Sequence, residues 1–548
     1  MDPVLAKIID TKMPKLNRNT ADGLATKHLA YAEQHVDSLL RSIAVHFPPD
    51  LVYEGIRRVT PLEEYRETTR RKNNSNGGTS CVYNTARSDT YLVALQLRFQ
   101  GELITKYLTL PFINKQGFLH LSGVRYVVSP VLCDKIISIS NSDVFVKLNL
   151  GKSVFKALPQ YYLANQEREV VQLVYSDNLY NRTVDNKKLP RSVVAKIPSS
   201  LYLFCKHGFT ETFKKYVGVV PIVGTEDEIN PTKYPSEEWV ICESVAIKPI
   251  GLKLLKSETY KASNIRLAFR RSDYTAKLRN HLVAFFYLLD HWPSRLKLDT
   301  IEYPSVWRQV LGELIRGDSE SLGKLEVAAN DHLDSLDKYI DEIMKHRFEL
   351  RGTPVEDMYE LLGIIVENFT QWTLNIGDDI SSTYNKELDV LYYVLQDVAK
   401  GINNFHFRLK AELNKSGGKS LNIKELNTLL SNTIRPGAIF QLTSSSKHVE
   451  ISTISSSSDN RAFKTTAMIV PQEATGGNSD KMAVTNPTQF LHASVAEVNA
   501  YSAINKKDPS GHNRINHCLE IDNLGNVVRN PRFIPLLDRV QKVLNRSR

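Results

Sequence analysis

Cysteine is scarce: five residues in 548, at positions 81, 133, 205, 242 and 518, with no C-x-x-C pair among them. An odd, dispersed set builds neither a disulfide framework nor a zinc ribbon, so reduced and mostly buried thiols are expected. Long apolar runs are missing as well. The best stretch, Leu282–Leu289, stops at Asp290 and His291, well short of the ~18–20 residues a membrane-spanning helix needs. The opening residues, MDPVLAKIID, carry no basic region followed by an apolar core. That speaks against a secretory signal and for a soluble intracellular protein. Glycine (26) and proline (23) are neither abundant nor periodic, which excludes collagen-like and low-complexity architecture.

Catalytic signatures are lacking too. There is no G-x-x-x-x-G-K-[ST] phosphate loop, no G-x-G-x-x-G after a strand, no H-E-x-x-H and no G-x-S-x-G. His512, His517 and Cys518 match no familiar ligand spacing and read as structural. Asp378 and Asp379 are sequence neighbours whose side chains diverge on a helix or strand, so a cap or turn is expected there. No catalytic residue, metal site or bound cofactor is expected in this chain.

What is present is ordinary globular composition, 42% hydrophobic and 24% charged, in a chain too long for one core; two to four domains are expected. Lys plus Arg outnumber Asp plus Glu by 70 to 60, a net charge of +10. The excess permits a polyanionic partner without demanding one. Half of it lies in the last 48 residues, which hold nine basic against four acidic side chains.

Along the chain, Ala25, Leu29, Ala32, Val36, Leu39 and Leu40 recur at helical spacing. A basic loop with Arg66, Arg70, Arg71 and Lys72 follows. Tyr91–Phe99 and Leu103–Leu110 read as strands turning at Gln100-Gly101-Glu102, and Phe118–Val128 as a further strand around Ser122-Gly123. From 131 to 300 the pattern is mixed, with β-like runs at Val144–Leu148, Val170–Val174 and Trp239–Val245. A basic cluster of Arg266, Arg270, Arg271, Lys277 and Arg279 reads as a solvated face or a DNA-facing one. Between 301 and 430 apolar stripes of period near 3.6 predict helices: Leu333, Leu336, Ile340 and Ile343; Val355, Met358, Leu362, Ile365 and Phe369; Leu388, Leu391, Tyr392, Leu395 and Val398. Serine-rich loops follow, and Asp522–Asn526 between Ile515–Ile521 and Val527-Val528 reads as a hairpin. The fold class is therefore α+β and multidomain.

Three segments, in order, resemble the N-terminal half of the β subunit of multisubunit DNA-dependent RNA polymerases. Residues 110–129, LPFINKQGFLHLSGVRYVVS, resemble "P-L-M-T-x-x-G-x-F-x-I-N-G-x-E-R-V-x-V-S", lacking one residue and the glutamate between Gly123 and Arg125. Residues 378–387, DDISSTYNKE, are similar to "D-D-I-D-H-L-x-N-[KR]-R" before a long helix, here Leu388–Leu413; Asp378, Asp379, Asn385 and Lys386 match. Residues 485–497, TNPTQFLHASVAE, resemble "[VL]-H-P-[TS]-[HQ]-[YW]-G-R-[IV]-C-P-[IA]-E", with Pro487 and Glu497 in place, after which the family's T-P-E-G-x-N is absent. A β subunit divided between polypeptides looks like the split polymerases of giant (phiKZ-like) tailed phages.

The resemblance implies a protrusion, lobe and fork forming one wall of the DNA cleft. It places the first part of the protrusion at 1–134, an inserted lobe at 135–300, a mainly helical protrusion return at 301–430, and the fork with the start of the next β domain at 431–548. It implies that Lys386 lies against non-template DNA with Asn385 beside it, and that Arg408 and Lys410 correspond to a family R-x-E-R. Arg461 and Lys464 fall where the family keeps arginines near the RNA–DNA hybrid. Arg125 has an ion pair as its equal alternative, and Gly123, Asp378, Asp379, Pro487 and Glu497 are structural. The implied partners are a C-terminal β-like chain, β′-like chains that carry the catalytic Mg²⁺, a specificity subunit, template DNA and nascent RNA, with no membrane. The expected setting is the infected host cytoplasm or the virion. A rival reading is a virion structural or packaging protein that binds DNA nonspecifically; another is an independent nucleic-acid enzyme.

Overall fold

The alternation of Tyr91–Phe99 and Leu103–Leu110 produces a hairpin of two ten-residue strands whose turn, Gln100-Gly101, has φ of 51° and 87°. Two positive φ values in succession match the right-handed twist of the flanking strands. A computed structural model shows how this hairpin and the rest of the chain are arranged. The structure describes residues 29–67, 87–112, 119–121, 123–128, 130–140, 142–149, 151–176, 179, 196–247, 260–261, 263–317, 320–375, 382–415, 421–435, 451–453, 467–469, 494, 498, 512–514, 519–522 and 525–528.

In chain order the elements are α1 (Ala32–Ala44), β1 (Leu51–Arg58), β2 (Thr90–Phe99), β3 (Glu102–Pro111), β4 (Leu119–Leu121), β5 (Val124–Val128) and β6 (Val131–Asp134). Next come β7 (Ile137–Ser140), β8 (Asp143–Leu148), β9 (Gly151–Ala164), β10 (Glu167–Ser176), α2 (Ser199–His207), α3 (Phe209–Tyr216), β11 (Ile222–Gly224) and β12 (Trp239–Glu243). Then follow β13 (Ala246–Ile247), β14 (Tyr260–Lys261), β15 (Arg266–Arg270), α4 (Ala276–His291), α5 (Pro304–Arg316), α6 (Leu322–Asp334), α7 (Glu342–Glu349) and α8 (Met358–Leu374). The last stretch holds β16 (Lys386–Asp389), α9 (Gln396–Lys415), α10 (Ile423–Thr433), β17 (Ile451–Thr453), β18 (Ala467–Ile469), β19 (His512–Arg514), β20 (Glu520–Ile521) and β21 (Val527–Val528).

The chain divides into two units: residues 1–135 with 379–548, and residues 136–378. In the first, β1-β2-β3 form an antiparallel sheet and β16 pairs with β6, so the returning chain is stitched into the opening one. Its core is mainly aliphatic: Val36, Leu40, Leu95, Leu97 and Leu108 meet Val398, Ile402, Phe405 and Leu430. In the second unit a seven-stranded sheet packs on α2–α5 and α8. Here the core is aromatic, with Phe204, Phe209, Phe213, Phe285 and Trp307 all at most 1% exposed. The Phe204–Trp307 and Phe209–Phe285 ring centroids lie 4.7 and 4.5 Å apart, pairings worth about 0.5–1.5 kcal/mol each beyond burial.

Four sequence expectations are corrected. No division falls at residue 300: the helices of 304–374 share one core with 136–300, because α5 and α8 bury Trp307, Leu311, Leu362 and Ile365 in it. Phe118–Val128 is not one strand; β4 and β5 form a hairpin, and Gly123 at its turn has φ 83°. The stripe from Leu333 to Ile343 is interrupted, since α6 ends at Asp334 and Ile340 is extended before Asp341 caps α7. The helix predicted from Leu388 begins later, because Leu388 lies in β16, paired with Leu132 of β6. Long-range pairing overrides local periodicity there.

Candidate nucleic-acid interface

The hairpin β4–β5 carries the first motif and is braced from beneath. Asp89, 2% exposed, accepts hydrogen bonds from the backbone N–H of His120 at 2.9 Å and from Arg87 Nε at 2.9 Å, and its Oδ2 lies 2.6 Å from His120 Nδ1. Burial pushes the Asp89 carboxyl up, but the bonds from His120 and Arg87 outweigh it and hold the group below its ordinary value. Gly123 N–H donates to Arg87 O at 2.8 Å. Arg125 stands opposite His120 in the ladder, half-buried and engaged with neighbouring groups. The described part of the first motif is thus a braced turn.

Lys386 opens β16, directly opposite Asp134 of β6, and its ammonium pairs with that carboxylate at 2.7 Å. It is neither at a helix start nor a fully solvated cation. Asn385 sits in the preceding turn, half-buried and engaged. Behind them the β20–β21 hairpin closes on β16: Leu388 N–H donates to Gly525 O at 2.7 Å. Gly525 has φ 87°, and a Cβ there would stand 2.1 Å from Leu388 O, so only glycine fits. Beside this seam Cys133, Glu387 and Asp389 are buried, with ligand-type atoms within 4.8 Å of one another. Each of the three already has another interaction, and three donors fall short of the four that a closed structural zinc site uses.

The third basic site is built differently. α9 and α10 pack so closely that a Cβ at Gly401 would meet Thr433 O at 2.5 Å. A capping box between Asn422 and Glu425 starts α10. The polar stripe Asp397, Lys400, Asn404 and Arg408, at helical spacing on α9, borders a cleft of about 260 Å³. Its other wall is Asn432, Thr433, Ile434 and Arg435, with Leu108 and Val398 also lining it. Lys400 Nζ lies 3.9 Å from Asp397. Arg408 and Arg435 are exposed and have no ion-pair partner among the described residues. Lys410, two residues beyond Arg408 and turned away from the stripe, is half-buried and engaged.

The structure therefore brings Arg408 to a cleft, pairs Lys386 with Asp134, leaves Asn385 and Arg125 half-buried and engaged, and puts Gly123 at a turn. Asp378, Asp379, Arg461, Lys464, Pro487, Glu497, His517 and Cys518 lie outside the described residues. Lys400, Asn404, Asn432 and Arg435 were not among the sequence candidates; the Lys400–Asn404–Arg408 spacing was the available signal for the first two. Three of the five cations of the second unit's basic cluster are paired with carboxylates inside that unit. Arg266 pairs with Glu243 and Glu226, each at 2.7 Å, Lys277 with Glu367 at 2.7 Å and Arg279 with Glu169 at 2.6 Å. Arg271 donates to Ser236 O, and Arg270 lies over the Trp239 ring.

No described helix is long and apolar enough to cross a membrane. No curated protein matches the sequence. A family model described as non-virion RNA polymerase subunit matches residues 5–538, nearly the whole chain. A match of that extent, over a sequence whose motifs already resembled a multisubunit polymerase, places the chain in the non-virion RNA polymerase subunit family.

Proposed function

We propose that this polymerase subunit is the N-terminal β-like part of the enzyme and forms one wall of its DNA cleft. The observation that carries the reading is the order of the three β-like motifs along one chain. The interruption of the first unit by residues 136–378 supports it, since a protrusion with an inserted lobe has that connectivity. In this reading the chain binds nucleic acid and leaves nucleotidyl transfer to Mg²⁺ held on a β′-like chain. Its partners are that chain, a C-terminal β-like chain, template DNA and nascent RNA. The family's description as non-virion favours work in the infected cell and gives the virion-packaged alternative no support.

The test is reconstitution. The chain co-expressed with its sister polymerase chains should enter a stoichiometric complex, and RNA synthesis should require it. Mg²⁺-dependent RNA synthesis by the purified single chain, or failure to join any polymerase chain, would overturn the reading.

A further inference from the structure

The polar side chains that line the α9–α10 cleft are mostly hydrogen-bond donors. Arg408, Arg435 and Lys400 bring three positive charges against the one negative charge of Asp397, a balance of +2, and Asn404 and Asn432 add amide N–H groups. Both asparagines are exposed. The beginning of α9 packs beside the end of α10, where Gly401 meets Thr433, so the partial charges of the two helix ends oppose each other and the side chains decide the sign. Buried Leu108, Val398 and Ile434 form apolar lining, which strengthens any charge interaction above it. The Gly401–Thr433 approach fixes the separation of the walls, so the arrangement exists before a ligand arrives.

A net positive lining with two guanidinium forks suits a group that has only acceptor oxygens and a full negative charge. The volume, about 260 Å³, is below the roughly 300 Å³ at which sites for drug-sized ligands begin. It admits a phosphodiester with part of its sugar and excludes a base pair. We propose that this cleft seats one backbone phosphate of a nucleic-acid strand, held between Arg408 and Arg435 with Lys400, Asn404 and Asn432 around it. The contact reads no sequence; it fixes the register of the strand on the protein. The proposal rests on the reading of the chain as a cleft wall.

The test uses the assembled polymerase and a fluorescent nucleic-acid scaffold, with binding measured from 0.05 to about 0.5 M KCl. Arg408→Gln with Arg435→Gln should weaken binding roughly tenfold at 0.1 M salt, and the slope of log K against log salt should become shallower by about 0.7–0.9, the loss of one phosphate contact. Asp397→Asn should tighten binding, because it removes the one repelling charge. An assembled double variant with unchanged affinity and slope overturns the seat. Loss of the double variant from the complex, with scaffold affinity unchanged in the molecules that do assemble, also overturns it and assigns the cleft to a carboxylate of a partner subunit. If the wild-type chain itself fails to assemble, the cleft-wall reading falls first and the seat with it.

Discussion

The basic cluster of the second unit and the basic cleft of the first handle positive charge differently. In residues 136–378 three cations of the basic cluster, Arg266, Lys277 and Arg279, are tied to carboxylates, and Arg266 is buried with Glu243. In the unit formed by the two ends of the chain, Arg408 and Arg435 flank a cleft with no acidic partner among the described residues. A cation with a partner is part of the scaffold; one without is available to an outside anion. Local charge density therefore ranks candidate contacts less well than the state of each side chain's pairing.

The sharpest way to break this contrast is Arg266→Ala. It leaves Glu243 buried and uncompensated, and should cost about 3–5 kcal/mol, read as a lowered melting temperature of the second unit. Arg408→Ala on an exposed helix face should change stability by less than about 0.5 kcal/mol. Similar losses for the two would dissolve the distinction. Next in size, Gly525→Ala forces a Cβ against Leu388 O at 2.1 Å and places alanine at positive φ. The expected cost is on the order of 1–3 kcal/mol, with increased hydrogen exchange along β16.

A third test concerns pH. Burial raises the Asp290 carboxyl to about 7. Between pH ~4 and 7 the folded state then holds a proton that the unfolded chain releases, so this group's contribution to stability falls as pH rises through that window. Burial, helped by Lys277, lowers His281 to about 4. This group works the other way, adding stability as pH rises from about 4 to 6.5. Asp290→Asn removes only the first slope, so its melting temperature should gain on wild type steadily from pH ~4 to 7 and level off above it. A constant difference across that range would refute the assignment. The smallest effect is expected of Lys386→Met. Its partly exposed pair with Asp134 should contribute no more than about 1 kcal/mol. A large change in the salt dependence of DNA binding would return Lys386 to the list of contacts.

Much of the local architecture was legible because it rests on short-range rules. The β2–β3 hairpin, β8, β10, β12, α8 and the β20–β21 turn follow from alternation, helical spacing or turn residues. What was not legible depends on partners distant in sequence. Leu388 looks helical until β6 is seen to pair with it, and the break expected near 300 vanishes once Trp307 packs on Phe204 and Phe285. Of the candidate contacts, Arg408 was visible through its motif. Arg435 was not, because only the packing of α10 against Gly401 brings it to the same cleft.

The pairing of Lys386 with Asp134 has a further consequence for how the molecule is made and could be taken apart. Opposed residues in an antiparallel ladder stand ~5 Å apart, so Asp134, before the intervening segment, and Lys386, after it, are close neighbours. That unit cannot close until its second half has emerged from the ribosome, long after its first strands, whereas the intervening segment can fold as soon as it is complete. The same adjacency makes the segment excisable: a few flexible residues would bridge the gap, offering a smaller protein in which the cleft between α9 and α10 can be studied alone.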